Sequence, residues 1–142
     1  MPVDVRWLVP GRVIMHEFSG RVELEDTTRA SLEGPVLADQ GTTPVHMIVS
    51  LLAVTHFPRN LYQLQTAIRD NPRLDRLGWI VITIRHNPML SFVASILTQV
   101  RFSNLRISMS EDMAGALRQL RERDTSLESS ISPDGELIDT IS

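Results

Sequence analysis

VHMIVSLLAVTHFPRNLYQLQTAIRDNPRLDRLGWIVITIR, residues 45–85, decides the fold. It opens on a nearly unbroken apolar run, Val45-His46-Met47-Ile48-Val49-Ser50-Leu51-Leu52. Leu61, Leu64 and Ile68 follow at helical spacing, Gly78 stops that segment, and Trp79-Ile80-Val81-Ile82-Thr83-Ile84 is a second apolar run. Strand, helix, strand in that order is a βαβ crossover. Strands this apolar are covered on both faces, as parallel strands are, because the crossover helices lie on the sheet.

Outward from this unit, Val5 to Val9 reads as a short strand, Pro10-Gly11 as a turn, and Arg12 to Phe18 as a second strand ended by Ser19-Gly20, an antiparallel hairpin. Leu24, Thr28 and Leu32 give a helical face. Glu23, Glu25 and Asp26 lie at its start, where carboxylates suit the helix dipole, and Gly34-Pro35 is expected to kink or break it. Gly41-Thr42-Thr43-Pro44 leads into the third strand. Asn87-Pro88 opens another helix, whose apolar stripe is Met89, Phe92, Val93, Ile96, Leu97 and Val100. Leu105 to Met109 alternates like a strand near an edge. Ser110 is expected to cap a last helix, with Glu111 and Asp112 at its positive end, Arg118, Arg121 and Arg123 toward its negative end, and Met113, Leu117 and Leu120 on its buried face. The order ββαβαβαβα predicts an α/β fold: a mixed, mostly parallel sheet with an opening antiparallel hairpin and flanking helices. It leaves the strand order open.

Composition bounds the chemistry. At 142 residues the chain makes one domain able to bury a core without staples. With no cysteine there is no disulfide, thiolate nucleophile or zinc–thiolate site, and with no lysine there is no Schiff base. All 14 basic side chains are arginine, as a GC-rich genome would give. Of the 17 acids, Asp124, Glu128, Asp134, Glu136 and Asp139 lie in a final segment without arginine, leaving a body of only +2. That is too weakly basic to argue for nucleic acid. No run approaches the ~20 apolar residues of a membrane span, and Met1-Pro2-Val3-Asp4 lacks a signal-peptide pattern, so the expected location is cytoplasmic. Residues 1–124 are expected to form the domain. Residues 125–142, rich in Ser, Asp and Glu with a turn at Pro133-Asp134-Gly135, are expected to form an acidic, flexible tail whose Leu137, Ile138 and Ile141 form a small apolar cluster able to dock on the body or on a neighbour in a homodimer.

The order of elements and the residues at its joints resemble the STAS superfamily, the SpoIIAA-like fold of bacterial anti-sigma-factor antagonists. The resemblance covers about residues 5–123. It rests on the opening hairpin, Phe18-Ser19-Gly20, Val45–Phe57 as third strand and switch loop, Gly78-Trp79-Ile80-Val81-Ile82, and the terminal Ala114-x-x-Leu117-x-x-Leu120 helix. In those antagonists an acidic residue on the third strand precedes an Asp-Ser pair whose serine is phosphorylated by a partner kinase. Here the acidic position is similar to Ser50, and the dipeptide falls near Phe57-Pro58-Arg59-Asn60, which has no hydroxyl; the nearest is Thr55. The resemblance therefore implies the fold without the phosphoserine switch, as in a divergent branch.

In open parallel sheets, ligands and partners meet the loops at the carboxyl ends of the strands. Those loops hold Ser19 and Gly20; Thr55, His56, Arg59 and Asn60; Arg85, His86 and Asn87; and Ser108 and Ser110. Three helix N-termini point the same way and would attract anions, aided by Arg59 and Arg85. His56 and His86 are the sharpest candidates for proton transfer, yet each equally suits capping a loop end, and neither has the paired carboxylate or third ligand that catalysis or a metal wants. His16 and His46 read as structural, as do Trp7 and Trp79 on their strands. The expected function is a non-enzymatic regulatory domain, without cofactor or metal, that presents this pole to a protein partner. The alternative is a module binding a small anionic or lipid-like ligand there.

Overall fold

In the computed structural model, residues 2–56, 77–85 and 106–138 are described. Five strands form one sheet in the order β1-β2-β3-β4-β5: β1 is Val3–Val9, β2 Val13–Arg21, β3 Val45–His56, β4 Leu77–Thr83 and β5 Arg106–Ser110. β1 and β2 are antiparallel, and every later pair is parallel. The predicted mixed sheet with an opening hairpin is therefore the fold. The strand order, which the sequence left open, follows the chain. Among the described residues, two helices flank the sheet, α1 (Leu24–Ala38) and α2 (Met113–Arg123). The helical stripes predicted at Leu61–Ile68 and Met89–Val100 lie outside the described residues.

The hairpin turns as Pro10-Gly11 demands. Arg12 N–H donates to Val9 O at 3.0 Å, and Gly11 stands at φ 76°, the left-handed conformation that a type II turn requires at its third position. β4 is buried along nearly its whole length, which explains its unbroken apolar run. Among the described residues β5 pairs only with β4, and it is half-exposed, the edge strand its alternation predicts. One face of the sheet packs Phe18, Leu51, Val54 and Ile82 with Ala30 of α1. The other packs Val13, Met15, Ile48 and Val81 under Leu117 and Leu120 of α2.

Three expectations are corrected. First, Gly34-Pro35 does not break α1, which runs through both to Ala38. Pro35 lies in the last turn, so its missing N–H removes a single hydrogen bond, and Gly34 and Pro35 are on the buried face, where packing offsets that loss. Second, the cap of α2 is Asp112 rather than Ser110: Asp112 Oδ1 accepts from Gly115 N at 2.7 Å, while Ser110 still belongs to β5. Third, the fold does not stop at Asp124. A 3-10 turn (Thr125–Leu127) follows α2, and Leu127 and Ile131 are fully buried in the α2-side core. Ile131 bridges Leu137 across a tight turn whose Gly135 N donates to Ser132 O at 3.0 Å. The predicted turn at Pro133-Asp134-Gly135 is thus present, but in a packed segment. Two well-placed apolar side chains outweigh a polar average. Leu137 and Ile138 themselves are exposed, and Ile141 lies outside the described residues.

Gly34 is required by close approach. A Cβ there would come within 2.6 Å of His16 Cε1 and Nε2 and 3.0 Å of Met47 Cε. Gly→Ala in a helix interior ordinarily gains about 0.5–1 kcal/mol. Gly34→Ala is expected to do the reverse, costing about 1–3 kcal/mol as an overpacked core does. Urea denaturation measures it, and a stabilised variant would contradict the packing described.

Candidate functional site

The carboxyl ends of the strands do form one pole, and it is uneven. Pairing between β3 and β4 ends at Ser50 opposite Thr83, but β3 runs on to His56. Its last residues pair with β2, Ser19 with Ala53, Gly20 with Val54 and Arg21 with His56, and Val22 N–H closes the ribbon on His56 O at 2.9 Å. The result is a two-stranded projection beyond the rest of the sheet. Val54 is buried beneath it, while Ala53, Thr55 and His56 are exposed at its tip. His56 Nδ1 and Thr55 Oγ1 share a 3.4 Å hydrogen bond. Arg21, beside them, is 76% exposed and pairs with Glu23 at 2.6 Å. Arg85, just past β4, is also exposed. Of the predicted site residues, Thr55, His56 and Arg85 are therefore at the pole; Arg59, Asn60, His86 and Asn87 lie outside the described residues.

The two described helix starts at this pole are already filled. At α1 the Glu23 side chain accepts from the backbone of Asp26, and Asp26 Oδ2 accepts from Glu23 N–H at 2.9 Å, a reciprocal capping box. At α2, Asp112 holds the corresponding position. A carboxylate in that place satisfies the free N–H groups and opposes the dipole's positive end, so an incoming anion meets negative charge. The start of a helix attracts anions only when it is open, and sequence alone does not reveal that these are closed.

Between the tip and α2 a row of polar side chains crosses the sheet, Glu17, Ser50, Thr83 and Ser110 on adjacent strands. Ser50 and Thr83 are buried, and Thr83 Oγ1 has no hydrogen-bond partner. The position that the family resemblance equates with an acidic residue thus carries a buried hydroxyl.

The strongest polar cluster lies at the opposite pole and was missed in the sequence, although His46 was correctly read as structural. Asp124, at the end of α2, accepts from Arg12 at 2.7 Å and from His46 Nε2 at 2.8 Å through Oδ2, and from Ser126 N and Oγ through Oδ1. His46 Nδ1 accepts from Trp79 N–H at 2.9 Å. An amide can only donate, so the neutral ring carries its proton on Nε2 and gives it to Asp124. Burial holds His46 below the usual imidazole range, against the pull of Asp124. Burial would raise the Asp124 carboxyl, but the bonds from His46 and Ser126 and the charge of Arg12 bring it down to about 2. Both ring nitrogens are committed, so the cluster is a clamp that joins the β2 and β3 starts, β4 and the segment after α2. Its members are 112 and 78 residues apart, beyond any local pattern.

Among the described residues, no group of three or more His, Asp or Glu side chains is arranged to hold a metal ion, and no helix is long and apolar enough to cross a membrane. Comparison of the chain with protein-family models and with curated proteins finds no match.

Proposed function

We propose that this chain is a non-catalytic regulatory domain of the cytoplasm that engages a protein partner through the projecting end of β2 and β3. The observation that carries the reading is the projection itself. Ser19–Arg21 and Ala53–His56 stand beyond the last β3–β4 pair, and their exposed groups are a hydroxyl, an imidazole and a guanidinium. Such a tip offers side-chain contacts and, among the described residues, strand backbone beyond the last β3–β4 pair, the elements of strand addition. The STAS-like order of elements supports the same reading, since in that superfamily the segment that follows the third strand carries the serine phosphorylated by a partner kinase. The anionic-ligand alternative draws less support, because the described helix starts at this pole are capped by Glu23, Asp26 and Asp112.

A photo-crosslinking residue at Thr55 tests this in cells of the source organism. One dominant protein adduct is expected from Thr55 and none from Glu122, exposed on α2. His56→Glu should remove the Thr55 adduct. Equal adducts from both positions, or an adduct indifferent to His56→Glu, would refute a partner site at the tip.

A further inference from the structure

The two edges of the sheet are treated differently. At β5, Ser110 O faces β4 by accepting from Ile84 N at 2.9 Å, so Met109 O, one residue earlier, faces outward; there Gln119 Nε2 covers it at 2.7 Å. At β1 no described side chain plays that part. Ser19 N–H donates to Pro2 O at 2.8 Å, and the antiparallel register continues through Asp4–Glu17 and Arg6–Met15. Backbone groups alternate along a strand, so those of Asp4 and Arg6 face β2, and those of Val3, Val5 and Trp7 face away from the sheet. An open edge of this length is a template for another strand. Beside it, Leu32 and Val36 of α1 are 61% and 50% exposed, one helical turn apart, and with Val5 and Leu37 they line a groove between α1 and β1.

We propose that β1 pairs antiparallel with β1 of a second copy, about a two-fold axis through Val5, giving a continuous ten-stranded sheet. The register follows from backbone phase and charge. Only Val3, Val5 and Trp7 present outward groups, so they must supply the hydrogen-bonded pairs. An axis at Val5 sets Val5 against itself and Val3 against Trp7 of the second copy. It then sets Asp4 opposite Arg6 of the second copy, twice by symmetry, at the non-hydrogen-bonded positions where side chains approach most closely. An axis between Val3 and Val5 would oppose Asp4 to itself, and one between Val5 and Trp7 would oppose Arg6 to itself. Charge therefore selects one register. The same axis runs past the Val5 groove, where Leu32 of each α1 meets Val36 of the other, covering the two exposed apolar side chains. This self-complementary patch is what a two-fold dimer needs. It uses the outer edge of β1, whereas the proposed partner site is the carboxyl end of β2 and β3.

Sedimentation velocity on the full chain over a dilution series tests the proposal. The wild type is expected to dimerise. Asp4→Arg and Arg6→Asp are each expected to weaken the dimer by roughly tenfold or more, and the double variant to restore it to within a few-fold, because it exchanges the charges without losing their opposition. In its own chain Arg6 pairs with Asp4 at 2.5 Å and lies 3.5 Å from Glu17, so the dimer must recruit charges that already meet within each strand, and thermal melts accompany each variant to separate loss of the dimer from loss of these contacts. Leu32→Glu, at an exposed position, keeps the fold and is expected to weaken the dimer by a similar factor. A wild type that stays monomeric into the high micromolar range overturns the proposal, as does a dimer insensitive to the single charge changes or not restored by the double one.

Discussion

Leu127→Ala is expected to destabilise the protein by about 2–5 kcal/mol, a large share of the roughly 5–15 kcal/mol that holds a domain of this size. Leu127 is fully buried, with Ile131 beside it, in the core formed by Val13, Ile48 and Val81 of the sheet and Leu117 and Leu120 of α2. Truncating a leucine there loses its transfer free energy and leaves a cavity that neighbours on a rigid sheet close poorly. The melting temperature should fall on the order of ten degrees. Ile131→Ala should cost a comparable amount through its lost side chain alone, since the bond from Arg121 Nε at 3.0 Å is accepted by the main-chain O, which alanine keeps. Leu137→Ala is the control: its side chain is 44% exposed, and its replacement should change stability by less than about 0.5 kcal/mol. Urea denaturation of the three variants distinguishes an integral segment from a solvated tail. Wild-type stability in both Leu127→Ala and Ile131→Ala would return the boundary to Asp124.

That boundary shows where sequence reasoning stops. β3 and β4 were readable because parallel strands covered on both faces must be apolar at nearly every position, so the cause leaves an unbroken trace. Trp79–Ile84 and the observed Leu77–Thr83 differ only at their ends. The segment after Asp124 leaves no such trace. Its composition is that of a solvated tail, and its burial rests on Leu127 and Ile131 alone. Their spacing of four, continuing the stripe of Leu117 and Leu120, was the available signal. The clamp was harder still, since Arg12, His46 and Asp124 become neighbours only when β2, β3 and the end of α2 meet. Strand direction fixes where the carboxyl ends of the strands lie, and Thr55, His56 and Arg85 stand there. Whether the two described helix starts at that pole are open was not legible, because that depends on the side chains of Glu23, Asp26 and Asp112. The length of the β2–β3 projection was hidden too. Ser19-Gly20 read as a strand end, yet β2 continues to Arg21 by pairing with β3.

Acidification should weaken this fold from about pH 6.5 downward, above the window in which Asp124 acts. His16 is buried between β2 and α1. Desolvation lowers its pKa from 6.5 to about 4, although a hydrogen bond to the Ala30 backbone opposes the shift, and its Nε2 has no partner to share a proton with. His46 is shifted in the same direction by burial, and protonating it would set an N–H against the N–H of Trp79. For both, the unfolded chain takes up the proton first. Stability is therefore complete above the unfolded value of 6.5 and declines as pH falls toward the folded values. At 1.36 kcal/mol per unit, His16 alone accounts for about 3 kcal/mol between pH 6.5 and 4. Asp124 acts in a lower window. Its carboxyl, held at about 2 against an ordinary 3.8, contributes stability that is present above 3.8 and is lost only as pH drops through the folded value. The two windows separate the imidazoles from the carboxylate. Urea midpoints measured in steps from pH 7.5 to 4.5 should fall steadily below about pH 6.5. His16→Gln, which cannot titrate, is expected to be less stable at neutral pH but to show a shallower fall, to which His46 still contributes in the same direction. Midpoints that stay level across this range, or a slope unchanged in His16→Gln, would mean that the ring between β2 and α1 reaches water and that the close packing of His16 against Gly34 does not describe the protein in solution.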